Sequence, residues 1–394
     1  MKILQVCARI PYPVEDGGSV YVFNTTKHLA ELGNEVHVAS FFSEVHNQDP
    51  KGFGEYCTLH HQKGNFTPYT LASVVKATLT RESVNIQHRM DVNIMESILK
   101  SIQTNFDVII LEGLHSSNFL TILRTLFPNT PIVLRHVNVE FELIAWKARN
   151  EKNPLKKLFL YDQSRLLKTF ELNTLNAVDA ITFISDLDYN SLRDSFSEKP
   201  TLISPPGVKV TKTIPFSERP ENHLIAFSNW KWSPNLDGLV WFLKNVWHSL
   251  KLNYPEISLT IAGNDLPKRI HSSLPEGINY IGFVDDLHTF NKKGTIQIVP
   301  LISGSGVKLK VIEGLGFGNP IVSTSFGIDG IKAIQGEHFE LANTPKEFVD
   351  KIGFLLNNEK HRKELSTNSV SLILGNYSWT HHISELNKFL SSLI

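Results

Sequence analysis

Short apolar runs alternate with amphipathic segments throughout the first half of the chain. KILQVCA (residues 2–8) has the length and apolar content of a buried strand, and SVYVFNTTKHLAELG (19–33) has the spacing of a helix that ends at Gly33. The same reasoning predicts further strands at EVHVASF (35–41), FDVIILEG (106–113), PIVLRHVN (131–138) and AVDAITFIS (177–185). Because strands and helices alternate with short connections, we expect a parallel sheet covered by helices on both faces.

The same alternation begins again in the second half of the chain. A helix is predicted over NLDGLVWFLKNVWHSLKLNY (235–254). Short strands are predicted at HLIAFS (223–228), ISLTIAG (257–263), INYIGFV (278–284), TIQIVPL (295–301) and PIVST (320–324). The predicted fold class is therefore α/β, with two Rossmann-like domains that face each other across a cleft. Such sheets bind their ligands at the carboxyl ends of the strands.

The predicted domain boundaries follow from these two series. An N-terminal Rossmann-like domain covers 1–204, and a C-terminal Rossmann-like domain covers 223–375. The proline-rich stretch 205–222 lacks apolar periodicity and is interpreted as a linker. Residues 376–394 are expected to form a C-terminal helix, and its return to the N-terminal domain stays open.

Composition narrows the function classes. Of 394 residues, 41% are hydrophobic and 20% are charged, as in a globular protein with a sizeable core. Lys plus Arg and Asp plus Glu balance at 39 each, which gives no support to bulk nucleic-acid binding. Cys7 and Cys57 are too few for a disulfide framework and lack metal-ligand spacing, which favours a reducing compartment. Without a recognisable signal peptide or an apolar run of membrane-spanning length, we expect a cytoplasmic protein; peripheral contact with a membrane stays open.

The stretch GSGVKLKVIEGLGFGNPIVST (304–324) carries the clearest candidate chemistry. Gly304, Ser305 and Gly306 form a turn between a predicted strand and a predicted helix, at the edge of the sheet where ligands bind. The first N–H groups of a helix are unpaired and suit a phosphate, and glycines let a ligand approach the backbone. Lys308 and Lys310 add positive charge. The alternative is a plain tight turn with solvated lysines.

This stretch resembles the donor-site segment of retaining glycosyltransferases of the group-1 superfamily, which are glycogen-synthase-like and have the GT-B fold. In that family a small-residue loop, a basic residue, a second lysine, a helix glutamate and a Gly-x-Pro strand recur in this order. Four further segments resemble the family, so that the resemblance runs from residue 1 to about 330. They are RIPYPVEDGG (9–18), VNVEFE (137–142), NWKWSPNLDGLVWF (229–242) and GFVDDL (282–287).

The resemblance implies transfer of a sugar from a nucleoside-diphosphate donor, UDP- or GDP-linked, with retention of the anomeric configuration. The acceptor would be a glycan, a lipid-linked molecule or a small molecule, in the synthesis of surface polysaccharide or glycoconjugates. No cofactor or metal is expected, because lysines and backbone N–H groups can hold the diphosphate, and no nucleic acid is expected as a partner.

The resemblance also implies a set of site residues. Those that hold the diphosphate through catalysis are Lys308, Gly304, Ser305 and Gly306. Those that bind the rest of the donor are Glu313, which would hydrogen-bond the ribose hydroxyls, together with Lys310, Val307, Asn229, Lys231 and Gly282. Those on the acceptor or cleft side are Gly17, Gly18, Arg135, His136, Asn138 and Glu140.

Two positions depart from the family pattern. Many relatives have a glutamate eight residues before Glu313, where this chain has Ser305. In RHVNVE (135–140), Val137 stands at the usual histidine and His136 comes one place earlier. Neighbouring side chains on a strand point to opposite faces, so His136 is expected to point away from the cleft unless the strand ends or bulges there.

Two other functions stay open. One is a nucleotide-sugar epimerase of the same architecture, which would need carboxylates and histidines that converge on the sugar. The other is a non-catalytic nucleotide-sugar-binding protein that has kept the fold alone.

Overall fold

A computed structural model describes residues 1–14, 16–42, 50–64, 70–87, 91–209, 214–304 and 306–394. The chain divides into two compact units. Unit 1 comprises Met1–Pro205 and Trp379–Ile394, and unit 2 comprises Pro206–Ser378. Unit 2 thus begins well before residue 223, since Arg219 from the predicted linker is buried and donates hydrogen bonds within this unit.

Unit 1 is built on a seven-stranded sheet in which every neighbouring pair is parallel, in the order β3-β2-β1-β4-β5-β6-β7. Its strands are β1 (Lys2–Cys7), β2 (Glu35–Phe42), β3 (Thr58–Lys63), β4 (Val108–Glu112), β5 (Ile132–His136), β6 (Ala180–Phe183) and β7 (Thr201–Ile203). The central strands β4 and β5 are buried along their whole length, as expected for a parallel sheet covered on both faces. The predicted parallel α/β sheet is confirmed.

The helices of this unit connect the strands. They are α1 (Gly17–Glu31), α2 (Pro50–Phe53), α3 (Leu71–Thr80), α4 (Val84–Gln87), α5 (Val92–Ser101), α6 (Leu120–Leu126), α7 (Glu140–Asn150), α8 (Pro154–Ala177) and α9 (Asp186–Leu192), with 3-10 turns at Leu114–Phe119 and Arg193–Ser195. Helix α1 begins at a capping box, in which Asp16 and Ser19 each bond the other's backbone N–H. This cap explains why the helix begins two residues before the predicted Ser19.

Unit 2 repeats the arrangement with six parallel strands, in the order β10-β9-β8-β11-β12-β13. Its strands are β8 (His223–Phe227), β9 (Ser258–Ala262), β10 (Ile278–Tyr280), β11 (Ile296–Val299), β12 (Ile321–Ser323) and β13 (Glu340–Leu341). Its helices are α10 (Ser233–Asn245), α11 (Trp247–Asn253), α12 (Lys268–His271), α13 (Leu287–Asn291), α14 (Leu309–Gly316), α15 (Ser325–Ile328), α16 (Pro345–Asn357) and α17 (Glu359–Asn376), with a 3-10 turn at Phe216–Glu218. Each unit thus has a Rossmann-like strand order.

The last helix, α18 (Trp379–Ser391), belongs to unit 1. The Trp379 ring lies 6.0 Å from that of Tyr21 on α1, centroid to centroid, and the amide of Asn34 donates to Asn387 at 2.8 Å. The C-terminal helix therefore packs against the first helix of the chain. In the described part of the chain, no helix is both long and apolar enough to cross a bilayer.

Candidate active site

The candidate site in unit 2 lies where the strand order reverses. Strand β8 has β9 on one side and β11 on the other, so the connections that follow β8 and β11 leave the sheet in opposite directions. In open α/β sheets a ligand binds outside the carboxyl ends of the strands at such a point. Residues 228–232 follow β8, and residues 300–308 follow β11. The candidate turn predicted from sequence thus lies at the expected ligand-binding edge.

The turn needs its two described glycines. Gly304 and Gly306 have φ angles of +121° and +70°, a region that residues with a side chain rarely adopt. A Cβ atom on Gly304 would also come within 3.1 Å of the Trp232 ring, which follows β8. The backbone of the turn therefore approaches the β8 connection closely. Ser305, the third predicted residue of the turn, lies outside the described residues.

Helix α14 follows the turn, beginning at Leu309 with Lys308 as its N-cap residue. Among the residues that the structure describes, no side chain caps this end of the helix. The first backbone N–H groups thus remain available for an anion, and the helix dipole favours negative charge there. Lys308 therefore precedes the helix, and Lys310 is its second residue.

Lys308 is buried, and its ammonium folds back to donate a hydrogen bond to the Gly306 carbonyl. Burial raises the pKa of the Asp329 carboxyl, and the positive charge of Lys308 opposes that shift. A fixed cation consequently lies within the turn itself, where an anionic ligand would meet it.

The Lys310 side chain is half-buried, unlike the solvated lysines of the plain-turn alternative. Its ammonium donates to the Asn235 side chain at 2.7 Å and to the Ser228 hydroxyl at 3.2 Å. Burial, reinforced by the charge of Lys308, lowers the pKa of Lys310 to about 7. The side chain joins α14 to the β8 connection and supplies a cation that is costly to keep charged without an anion nearby.

Glu313 lies on α14, one turn after its start. Burial raises the pKa of its carboxyl to about 7. In the described part of the chain, no residue donates a hydrogen bond to this carboxyl, and Lys310 forms no ion pair with it. The Glu313 side chain is half-buried, and its carboxyl has a pKa near neutrality. Its oxygens can therefore accept hydrogen bonds from the hydroxyl groups of a ligand.

The raised pKa predicts a pH-dependent stability. Folding favours the protonated Glu313, so its contribution is fully present below the unfolded pKa, about 4.5, and is lost as the pH rises through about 7. Glu313→Gln removes this loss. We therefore expect the variant to gain about 1–3 kcal/mol relative to wild type between about pH 4.5 and about pH 8, measured by urea unfolding. Parallel pH profiles for the two proteins would contradict the placement of this carboxyl.

The remaining predicted donor residues surround the same edge. Asn229 accepts a hydrogen bond from the Lys231 backbone at 3.0 Å, while the Lys231 side chain is exposed. Gly282, with φ of +73°, follows β10, and Val307 is half-buried before α14. The structure places Asn229 and Val307 in the connections after β8 and β11, and Gly282 two strands away from β8.

Sequence reasoning missed two residues that shape this edge. Gly263, after β9, would place a Cβ 1.7 Å from the Ser228 carbonyl, so only glycine allows the two connections to touch. Asn235 accepts from Lys310 and donates to the Asn229 carbonyl at 2.8 Å. Its place as the last residue of the predicted strand 257–263 was a usable signal for Gly263. Asn235 had none, because its partner is 75 residues away.

A buried network of polar side chains holds α14 against strand β11. The Gln297 amide on β11 donates to the Lys310 carbonyl at 3.1 Å and accepts from Asn319 at 3.0 Å. Asn319 in turn accepts from Arg219 at 2.7 Å, and Arg219 donates to the Phe317 carbonyl at the C-terminal end of α14. This chain of hydrogen bonds ties both ends of the helix to the sheet.

Breaking the network should destabilise unit 2. Asn319→Leu removes the side-chain acceptor of the buried Arg219 guanidinium, which keeps only backbone carbonyls, and leaves the Gln297 side-chain oxygen without its donor. We expect a loss of roughly 2–4 kcal/mol in the free energy of unfolding, measured by urea titration. Asn253→Leu, at an exposed position of the same unit, is the control and should change stability by less than about 0.5 kcal/mol. Equal effects in the two variants would show that the network contributes nothing.

In unit 1, the structure corrects the assignment of Arg135. Its guanidinium is fully buried, donates to both Glu112 oxygens at 2.8 and 2.9 Å, and stacks over the Tyr21 ring at 4.0 Å from its centroid. Glu112 also accepts from Gln5 at 2.7 Å. Arg135 therefore joins β5 to β4 and α1 inside the unit and does not face a ligand.

The assignment of His136 is corrected in the same way. Its Nε2 bonds Glu171 at 2.6 Å, both side chains are buried, and the ring packs on Phe183. Glu171 also accepts from the backbone N–H groups of Glu140 and Phe141 at the start of α7. His136 thus points to the opposite face from Arg135, as strand alternation predicted, and Val137 is half-buried beside Gly113.

The other predicted residues of unit 1 lie at the carboxyl ends of β1 and β5. Asn138 and Glu140 are half-buried after β5, and the Asn138 amide donates to the Glu140 carboxyl at 3.4 Å. Gly17 and Gly18 are exposed and open helix α1. Arg9 forms an ion pair with the Asp16 cap just before them. Polar and backbone groups therefore remain accessible at this edge of unit 1.

One Asp-x-Asp pair, at Asp186 and Asp188, escaped the sequence reasoning. Asp188 is buried: its carboxylate accepts from the Ser185 hydroxyl, its backbone N–H donates to the same hydroxyl at the start of α9, and Asp186 is exposed. In the described ranges of the chain, no three His, Cys, Asp or Glu side chains form a group that could hold a metal ion. Asp186 and Asp188 lie in the first turn of α9, whose N-cap residue is Ser185.

Comparison with known structures defines the fold of the chain. Sucrose-phosphate synthase from Thermosynechococcus elongatus matches with a TM-score of 0.75 at 15% identity, covering 100% of this chain and 99% of that one. HepE from Anabaena, in complex with UDP-glucose, matches with a TM-score of 0.65 at 13% identity, covering 100% of both chains. TarM from S. aureus matches with a TM-score of 0.68 at 11% identity, covering 99% of both. The chain has the GT-B fold of glycosyltransferases.

A family model and a relative in sequence add to the comparison of folds. Residues 221–358 match the family model of group 1 glycosyl transferases. A protein of Klebsiella pneumoniae, described as an uncharacterized 44.6 kDa protein in the cps region, is 25% identical over 405 residues, covering 98% of this chain and 99% of that protein. The matched residues contain the whole candidate site of unit 2. Residues 221–358 are thus similar to group 1 glycosyl transferases.

Proposed function

We propose that this protein is a retaining glycosyltransferase that takes its sugar from a nucleoside-diphosphate donor held at the candidate site of unit 2. The observation that carries the proposal is the grouping of the buried Lys308, the half-buried Lys310 and a carboxyl that accepts no hydrogen bond from the described residues, around a glycine turn at the reversal of the strand order. The lysines match a diphosphate, and the Glu313 carboxylate matches ribose hydroxyls. Retention rests on the resemblance of residues 304–324 to retaining enzymes.

Each side chain has a distinct role in the proposed reaction. When the bond between sugar and diphosphate breaks, negative charge grows on the diphosphate oxygens. Lys308 and the N–H groups at the start of α14 stabilise that charge, which lowers the barrier to departure. Lys310 fixes the β8 connection against the helix and adds its charge to the same region. Neither role needs a cofactor.

The donor and acceptor classes rest on the relatives. HepE has been crystallised with UDP-glucose, and TarM with UDP, α-GlcNAc-glycerol and fondaparinux. We propose a UDP-linked donor, with a GDP-linked one as the second candidate, and a glycan or lipid-linked acceptor. The Klebsiella relative from a cps region supports a role in surface polysaccharide synthesis. The two free cysteines, Cys7 and Cys57, fit the cytoplasm, which is the location we propose.

Donor turnover without an acceptor separates this function from its alternatives. The protein is incubated with UDP-glucose, UDP-N-acetylglucosamine and their GDP-linked counterparts, and the products are resolved by anion-exchange chromatography. A transferase releases nucleoside diphosphate and free sugar slowly. An epimerase yields a second nucleotide sugar, and a binding protein shows only a thermal shift. Adding the acceptor to the transferase and reading the anomeric proton of the product by NMR then tests retention.

Activity is expected to survive EDTA. The diphosphate charge would be compensated by Lys308, Lys310 and backbone N–H groups rather than by a divalent ion. Donor turnover is measured after dialysis against EDTA and again after Mg²⁺ or Mn²⁺ is added. After dialysis, the protein is expected to keep at least about half of its turnover rate, because the cations of the site are lysine side chains of the protein. Complete loss, reversed by the metal, would show that a metal ion takes part.

A further inference from the structure

The first turns of helix α8 carry apolar side chains on their outer face. Leu155, Leu158 and Tyr161, spaced three residues apart, are 79%, 69% and 42% exposed. The opposite face of the same helix is buried: Gln163 bonds the Val84 backbone, and Ser164 bonds the Phe141 carbonyl. A single exposed leucine needs no explanation, but a row of three large apolar residues on a solvent-facing helix does.

The same end of the helical hairpin α7–α8 is strongly basic. Residues 147–168 contain seven basic and two acidic side chains, an excess of five positive charges in a chain whose total is zero. The two acidic groups are already paired within the hairpin, Glu151 with Lys156 at 2.7 Å and Asp162 with Arg165 at 3.1 Å. The excess is therefore presented to solvent around the apolar row, for example by the exposed Lys152 and Lys168.

We propose that this basic–apolar hairpin surface, formed by Leu155, Leu158 and Tyr161 with the cations of residues 147–168, docks on an anionic lipid bilayer. Lysines and arginines attract anionic headgroups, and leucines beside them enter the interfacial region, which gives the two signals that stable reversible anchoring needs. A protein partner fits less well, because lysine is depleted at protein–protein interfaces. The tyrosine ring suits the headgroup level of the bilayer.

This inference goes beyond the proposed function and does not depend on the donor chemistry. Docking uses unit 1 residues that lie outside the candidate site of unit 2. Vesicle binding can therefore be measured without any nucleotide sugar, and donor turnover without vesicles. Failure of one does not imply failure of the other.

Vesicle flotation tests the proposal on the full-length protein. Wild type is expected to bind vesicles that contain phosphatidylglycerol but not vesicles of phosphatidylcholine alone, and salt should weaken the binding. The double variant Leu155→Ser, Leu158→Ser is expected to bind at least about tenfold more weakly, since it loses the inserted apolar side chains. Lys152→Gln with Lys156→Gln should weaken binding to a similar degree.

Matched controls are available in unit 2. Leu252 and Leu374 are 67% and 59% exposed, so Leu252→Ser with Leu374→Ser removes a similar amount of apolar surface elsewhere. Lys360→Gln with Lys363→Gln removes two exposed charges. Both controls should bind vesicles as wild type does. The proposal is overturned if wild type ignores anionic vesicles, if the controls lose as much binding, or if the serine variant binds normally while the glutamine variant does not, which would indicate a site for soluble polyanions.

Discussion

Lys308→Ala should reduce turnover by roughly two orders of magnitude or more, while donor affinity changes less. The ammonium lies within the glycine turn and donates to the Gly306 carbonyl, so it is the nearest side-chain cation to a diphosphate held by that turn. An interaction that strengthens as charge develops on the leaving group lowers the barrier more than it tightens the ground state. The measurement is turnover together with donor affinity by calorimetry.

Two further variants sharpen this test. Lys308→Arg keeps the charge and should retain more activity than Lys308→Ala, although the planar guanidinium fits the turn less well. Lys310→Ala should impair donor affinity as well as turnover, because Lys310 also holds the β8 connection against α14 through Ser228 and Asn235. If Lys308→Ala is as active as wild type, the phosphate site is not at this turn.

Glu313→Ala should weaken donor binding by about 1.5–3 kcal/mol, which is roughly tenfold to more than a hundredfold, without unfolding the protein. The carboxyl has no hydrogen-bond donor among the described residues, so its removal leaves no buried partner unsatisfied. A ligand hydroxyl that donates to it would lose a charge-assisted hydrogen bond. Donor affinity is measured by calorimetry at a pH above about 7, where the carboxylate is the main form.

Glu359→Ala is the control for this variant, because Glu359 is an exposed glutamate of the same unit, on α17. It should leave donor affinity unchanged. An unchanged dissociation constant in Glu313→Ala would remove this residue from the site, whereas an equal loss in both variants would point to a general charge effect. Thermal unfolding of Glu313→Ala should remain at or above that of wild type.

Local sequence patterns were sufficient to predict the central strands of the fold. Strands such as β1 and β4 are mostly apolar and buried, as the core of a parallel sheet requires, and the turn before α14 combines glycines with a helix start. The edge strand β3 (TLHHQK, Thr58–Lys63) was not predicted, because half-exposed residues and two histidines give it no apolar pattern. Periodicity detects burial, and edge strands have little of it.

The directions of the charged side chains depended on partners far away in sequence. Arg135 and His136 are neighbours on β5, yet Glu112 and Glu171 draw them into the interior on opposite faces. Lys310 turns inward because Ser228 and Asn235 lie beside it. None of these partners is recognisable from the local motif, so the sequence located the candidate site but could not distinguish ligand-facing residues from internal pairs.

The most direct test of the account is a crystal structure of the protein with UDP, or with GDP if calorimetry shows that GDP binds more tightly. If the proposed donor site is right, the nucleotide lies at the carboxyl ends of β8 and β11. Its phosphate oxygens are then within hydrogen-bond distance of the Lys308 ammonium and the Gly306 backbone N–H. Its ribose hydroxyls donate to the Glu313 carboxylate. A nucleotide bound at any other place in the molecule, or no binding of either nucleotide, would contradict it.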